Sequence, residues 1–286
     1  MWIILAFGSA FFAGITSILI KIGVKSIGSD LVTAIRTTVV VVFSWLMVLI
    51  VGSASEIGNL SLFSLIFLIL SGLSTGASWL CYNRALQLGD VTKVAPIDKS
   101  STVLTILLAF IILGETLTIF KLIGMVLISS GTLLMTIKKP TPETFENRGW
   151  ALYAAGSAFF AALTSIFGKF GVRDIESNLS VAIRTVVVLI MAWLIMLFKK
   201  DKNEIKTIDR KSWVFISLSG IATGLSWLSY YRALQLGDVS VIVPIDKLSI
   251  LITVFFGYLF LKEKLPWKAL FGLLLLTAGT LTMLIS

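Results

Sequence analysis

The residues with chemistry to offer are few, and most of them come in pairs. Asp98 and Lys99 stand side by side in an otherwise apolar run, two residues after Pro96, and Asp246 and Lys247 stand the same way after Pro244. An aspartate this deep in an apolar segment is too short to reach water, so it needs a partner or a proton. That makes Asp98 and Asp246 candidates for ion coupling or cation binding. Adjacent side chains on a helix do not face each other, so Asp98 and Lys99 cannot serve one partner. One of them is expected to face a cavity and the other a neighbouring helix. Each proline removes a backbone hydrogen bond and kinks its helix, freeing a carbonyl near the carboxylate. Arg36 and Arg184 lie in two further apolar runs, roughly 9 Å from the end at 1.5 Å per residue. A guanidinium there offers a planar fork for a carboxylate or phosphate, or it snorkels to the interface on its long stem. Trp79 with Tyr82, and Trp227 with Tyr230, each share one helix face. The tryptophans suit stacking of a planar or cationic solute, the tyrosines an interfacial belt. Arg36, Asp98 and Lys99 carry one net positive charge, and Arg184, Asp246 and Lys247 repeat it. A cavity of that sign favours an anionic or zwitterionic solute, with Arg36, Arg184, Trp79, Trp227, Lys99 and Lys247 as its contacts.

Other chemistries are excluded. The chain has no histidine and one cysteine, Cys81, so histidine catalysis, a cysteine-rich metal site and an internal disulfide are all absent from expectation. Gly72-Leu-Ser-Thr-Gly76 fits the hydrolase elbow pattern, but it lacks a histidine base and its second copy carries Ala222 in place of the serine. It reads better as a small-residue helix contact, as do Gly220 and Gly224. Gly124, Gly131, Gly272 and Gly279 are expected to be packing faces too. Neither a phosphate-binding Gly-Lys-Ser/Thr loop nor a nucleophile–base pair is present, so neither an enzyme, a cofactor nor a metal is expected.

The elements that must position these residues are membrane helices. Of 286 residues 57% are apolar and only 14% charged, with a mean hydropathy of +0.99. A soluble domain averages about 25% charged residues, so this chain lacks a polar skin. The net charge of +9 belongs to loops flanking apolar runs and not to a nucleic-acid face. Ten runs are long enough to span a bilayer: 2–20, 31–51, 62–82, 91–113, 119–137, 150–168, 179–198, 213–231, 239–261 and 267–285. Residue i matches residue i+148 without a gap, as in Gly8-Ser-Ala-Phe-Phe-Ala and Gly156-Ser-Ala-Phe-Phe-Ala, and Ser71–Ser101 against Ser219–Ser249 gives 21 identities in 31. The expected organisation is a five-span repeat over 1–137, a linker at 138–149 with Pro140 and Pro142, and a second repeat over 150–286. Tandem copies of an odd number of spans face opposite sides, the inverted-repeat plan of secondary transporters. The loop Val51–Leu60 has no Lys or Arg, whereas its counterpart Lys199–Lys211 has six, which supports the inversion and places both termini outside. The chain is therefore expected to be an all-α, multi-pass protein of the cell (inner) membrane.

The ten spans, the gapless duplication, Pro96 and Pro244 in the fourth span of each half, Glu115 and Glu263 at its end, and the blocks Trp79-x-x-Tyr82, Arg84-Ala-Leu-Gln-Leu-Gly-Asp90 and Pro96-Ile-Asp-Lys99 resemble the EamA-type drug/metabolite transporter superfamily. They are most similar to its small five-span bacterial and archaeal members, here present twice. The resemblance implies a helical fold with a central cavity lined by spans 1–4 and 6–9, spans 5 and 10 at the periphery, and both termini cytoplasmic. It implies transport of amino acids, nucleotide-related metabolites, amines or drugs, often outward. The reading is a secondary active exporter of a small polar, anionic or zwitterionic metabolite such as an amino acid, working by alternating access. Its partners are the solute, the bilayer and a proton or counter-substrate; nucleic acid is not one, and the protein is a monomer or homodimer. The alternatives are a proton-coupled exporter of organic cations or drugs and a non-transporting scaffold or sensor. Arg84 and Arg232 are expected at the C-terminal ends of spans 3 and 8, Lys21 and Lys169 as snorkelling anchors, and Glu115 and Glu263 in structural or gating turns.

Overall fold

The computed structural model describes residues 1–24, 27–88, 91–136, 149–198, 208–262 and 266–285, the side chains at 91–93, 136, 198 and 261 aside. Most of the linker, the lysines at 199–206 and Glu263 lie outside them. The helices in chain order are α1 (Trp2–Gly23), α2 (Ser29–Val51), α3 (Leu62–Leu88), α4 (Val91–Lys99), α5 (Ser101–Leu113), α6 (Ile119–Thr136), α7 (Trp150–Gly171), α8 (Ser177–Phe198), α9 (Arg210–Leu236), α10 (Val239–Lys247), α11 (Ser249–Leu261) and α12 (Trp267–Met283). A 3₁₀ turn, Ser53–Asn59, follows α2. No strand occurs among the described residues. Among the described residues eight stretches are long and apolar enough to cross a membrane, and Ile119–Met135 and Trp267–Met283 are shorter apolar helices. The result is the all-α, duplicated ten-span fold. Large apolar side chains such as Ile4, Leu49, Ile50, Ile111 and Leu152 stand more than half exposed, as a surface solvated by lipid requires.

Two expected spans are broken helices. Span 4 is α4 followed by α5, and span 9 is α10 followed by α11. The break falls a turn beyond each proline. The Ser100 amide donates to both Pro96 O and Ile97 O at 3.1 Å, and the Leu248 amide donates to Ile245 O at 2.9 Å. The bonds to Ile97 O and Ile245 O span three residues and tighten the chain into a 3₁₀ turn, while the bond to Pro96 O keeps α-helical spacing. Asp98–Lys99 and Asp246–Lys247 therefore occupy the last turn before each break. Spans 3 and 8 run longer than hydropathy predicts. Arg84 donates to Gln87 at 3.0 Å, and Arg232 donates to Gln235, and such i,i+3 pairs carry a helix through a polar stretch. Both arginines thus lie a turn inside their helices and not at the ends.

The chain forms two compact units, and each takes helices from both copies of the repeat. One comprises Met1–Leu73, Phe167–Gly237 and Ser249–Glu263; the other comprises Ser74–Ile166, Asp238–Leu248 and Lys264–Ser286. In the first unit α1 packs on α9 and α11, and α2 packs on α8 and α9. Gly220 of α9 meets Val39 and the Arg36 carbonyl, and Gly72 of α3 meets Val187 and the Arg184 carbonyl. These glycines let the arginine-bearing helices approach closely. Ser9 and Ser226 share a buried hydrogen bond at 3.2 Å, as do Thr16 and Thr223.

In the second unit α6 packs on α12 and α4, and α10 packs on α5 and α12. The same hydroxyl pairs recur with the copies exchanged: Ser78 with Ser157 at 3.3 Å and Thr75 with Thr164 at 3.3 Å. The α6–α12 contact is made by glycines. A Cβ on Gly131 would lie 2.5 Å from Gly272 O, and one on Gly124 would lie 2.7 Å from Gly279 O. Gly131→Leu is therefore expected to destabilise the protein by about 1–3 kcal/mol through overpacking, read as a lower thermal unfolding temperature. Gly58→Ala, which meets nothing within 4 Å, is the neutral comparison.

Candidate functional site

Two clusters hold the residues singled out above, one in each unit. The first is built around Arg184. Apolar neighbours such as Val181 and Val188 commit α8 to the interior, and Arg184 itself is only 4% exposed. Its Nε donates to Ser71 Oγ at 3.1 Å. Ser71 in turn shares a hydrogen bond with the Tyr231 hydroxyl at 3.0 Å. The guanidinium carbon lies 4.7 Å from the Trp227 ring centre and 5.3 Å from that of Tyr231. Both distances are within cation–π range. Arg184 is therefore held in place by aromatic faces and does not snorkel. Gly168 lets α7 approach, since a Cβ there would lie 2.8 Å from the Tyr231 hydroxyl. Arg36 is half-buried on α2. The two arginines therefore differ in burial.

The second cluster is built around the α4–α5 break. Asp98 is half-buried, and its Oδ1 accepts from Ser157 Oγ at 2.7 Å. Ser78 Oγ donates to Ser157 O at 3.1 Å. Ser157 belongs to the repeated Gly-Ser-Ala-Phe-Phe-Ala block, which marks the duplication but does not single out this serine as a partner of Asp98. Lys99, one position on, is exposed and turns toward α6. Asp98 and Lys99 thus part company, as their helical angle requires. Lys99 feels the charges of Lys247 and Asp98. Asp246 and Lys247 are half-buried in the last turn of α10, and Pro244 is buried. Trp79 is half-buried beside Ser78 on α3. Tyr82 packs with Leu86, Ile97 and Trp150 around Ala85, Val94 and Ala154, so packing accompanies whatever belt role it has.

Three polar residues act on helix ends. Glu115 caps α10: the Val239 amide donates to Oε1 at 2.7 Å and the Ser240 amide donates to Oε2 at 2.9 Å. A carboxylate suits the positive end of a helix, and this one positions the helix that carries Asp246. Lys121, 3% exposed, sits 3.6 Å from Asp238 at the same helix start; its repeat partner is Ala269, so the repeat itself gave no sign of it. Lys169 donates to Leu234 O and to Gly237 O at 2.7 Å. It caps the C-terminal end of α9 and is not a snorkelling anchor. Glu115→Ala is expected to cost about 0.5–2 kcal/mol, the worth of an N-cap. Hydrogen exchange at Val239 and Ser240 should accelerate selectively, and unchanged protection there would refute the capping role.

Helices of this length and apolarity, carrying repeat-paired charges, define a multi-pass membrane protein built by duplication. A model of the EamA-like transporter family matches residues 1–137 and again 148–285, and the chain belongs to that family. A Sinorhizobium protein described as an uncharacterized transporter in the cobO 3′ region is 44% identical over 135 residues, which is 47% of this chain and 96% of the relative. That relative has the size of one copy. An Archaeoglobus fulgidus protein described as an uncharacterized transporter is 25% identical over 222 residues, covering 78% of this chain and 76% of its own. A solved crystal structure superposes with a TM-score of 0.80 over 100% of this chain and 99% of its own, at 16% identity, which shows the fold. The protein is a membrane transporter.

Proposed function

We propose that the protein is a secondary active exporter of a small anionic or zwitterionic metabolite, such as an amino acid, and that it works by alternating access between its inverted repeats. The observation that carries this reading is Arg184, a cation 4% exposed in an apolar span and stacked on Trp227. Burying a charge this way is costly, and intramembrane charges mark solute and ion pathways. The Trp227 face already carries the protein's own guanidinium, which weighs against the reading in which that ring stacks an organic cation. Arg36 and Arg184 set a positive field in the first unit, and Lys247 adds one in the second. Trp79 and Trp227 supply apolar walls. Asp98 and Asp246 are the coupling carboxylates, and the breaks beyond Pro96 and Pro244 are the hinges that carry them.

The test is thermal unfolding of the purified protein against anions, zwitterions and cations. A ligand at a hundredfold excess over its Kd adds about 2.7 kcal/mol of stability. Stabilisation by an anion or zwitterion, followed by its flux in proteoliposomes, supports the reading. Stabilisation by cations alone replaces it with the amine or drug exporter. Wild-type flux after replacement of Arg36, Arg184, Asp98 and Asp246 removes these residues from the mechanism.

A further inference from the structure

Lys99 does not point where its neighbour Asp98 does. It lines a cleft of about 100 Å³ between α4–α5 and α6, whose apolar walls of Pro96, Val103, Ile128 and Leu133 also carry Ser100 and Ser129. Among the described residues its ammonium donates no hydrogen bond to protein. The nearest carboxylate, Asp98, is engaged by Ser157, and the neighbouring charge of Lys247 adds to the positive field there. An anion is what this arrangement lacks.

The hydroxyls suit that anion. Ser100 Oγ donates to Ile97 O at 2.6 Å and Ser129 Oγ donates to Met125 O at 2.7 Å. Such back-bonds are secondary, because helix carbonyls have backbone donors as well; Ile97 O also accepts from the Ser100 amide. Either hydroxyl can turn to a ligand without orphaning a carbonyl. A cleft of this size holds one phosphate or carboxylate group together with several waters.

Location decides between sources of that oxyanion. Leu133 is 50% exposed and Val126 of the same helix 66%, so α6 has a lipid face at the cleft. Lys99 follows the start of its helix at Val91 by eight residues, roughly 12 Å at 1.5 Å per residue, and a lysine stem carries its ammonium part of the way back toward the headgroups. The C-terminal end of α6 leads to the segment carrying Lys138, Lys139 and Arg148, the kind of loop that stays cytoplasmic. Basic sites between spans on that side bind anionic headgroups. The second copy does not repeat the cleft: Leu248 replaces Ser100 and is 5% exposed.

We propose that the cleft between α4–α5 and α6 binds the phosphate of an anionic phospholipid of the cytoplasmic leaflet, with Lys99 as its cation and Ser100 and Ser129 as its hydroxyl donors. This assigns Lys99 to lipid and is independent of which solute is carried. The test uses the full chain in detergent, titrated with phosphatidylglycerol, phosphatidylcholine or inorganic phosphate and followed by unfolding temperature and by native mass spectrometry of bound lipid. Phosphatidylglycerol is expected to bind saturably, and Lys99→Gln to weaken it roughly five- to tenfold, the worth of one lysine at a lipid surface. Ser100→Leu, which installs the residue of the second copy, should weaken it while keeping the ligand-free unfolding temperature. Unchanged lipid affinity in both variants overturns the proposal. So does an equal response to phosphatidylcholine. Saturation of the same shift by inorganic phosphate alone would make the cleft a solute site instead.

Discussion

Arg184→Ala is expected to abolish solute-dependent stabilisation and to lower transport by at least tenfold. A hydrogen bond to a charged group contributes about 1.5–3 kcal/mol, so loss of one such contact to a carboxylate already costs roughly ten- to a hundredfold in affinity. Arg184→Lys keeps the charge but loses both the planar fork and the stacking on Trp227 and Tyr231, so it should rescue little. The fold should survive, because Ser71 keeps its hydrogen bond to Tyr231; the ligand-free unfolding temperature checks this directly. Arg36→Ala should do less. It is half-buried, where Arg184 is only 4% exposed and stacked on two rings. Wild-type ligand stabilisation in the Arg184→Ala protein would remove this arginine from the solute site.

The difference between the two arginines shows what the sequence could and could not reveal. Ten apolar runs and a gapless offset carry the fold, because span length and hydropathy are fixed by the bilayer and not by tertiary detail. The charged pairs were visible because charge is rare at that depth. Their partners were not. Ser71, Tyr231 and Ser157 are ordinary residues whose roles arise from which helices pack together, and hydropathy does not encode that pairing. Tyr231 was marked only by departing from its repeat partner Asn83, and Ser157 only by a block that reads equally well as helix packing. The ends of α3 and α9 were misplaced for a local reason: Arg84–Gln87 and Arg232–Gln235 satisfy each other inside the helix, so a polar stretch need not end a span. Glu115 was legible as a turn residue, but its cap on α10 depends on a helix more than a hundred positions away.

Asp98→Asn combined with Asp246→Asn is expected to abolish accumulation of solute against its gradient while leaving equilibrating exchange. Asparagine keeps the shape of aspartate and retains an oxygen that accepts from Ser157, so the Ser78–Ser157 link should persist. It cannot gain or lose a proton. If the carboxylates couple solute to protons, uptake driven by an imposed pH gradient in proteoliposomes disappears, and the dependence of transport on pH flattens. Ser157→Ala separates positioning from titration. It removes the hydroxyl donor but leaves the carboxylate, so gradient-driven uptake should persist where the double asparagine variant loses it. If the carboxylates instead only hold the broken helices, Ser157→Ala should lower stability and leave the pH dependence of transport in place. A double asparagine variant that accumulates solute at the wild-type rate would end the coupling argument and leave counter-exchange as the driver.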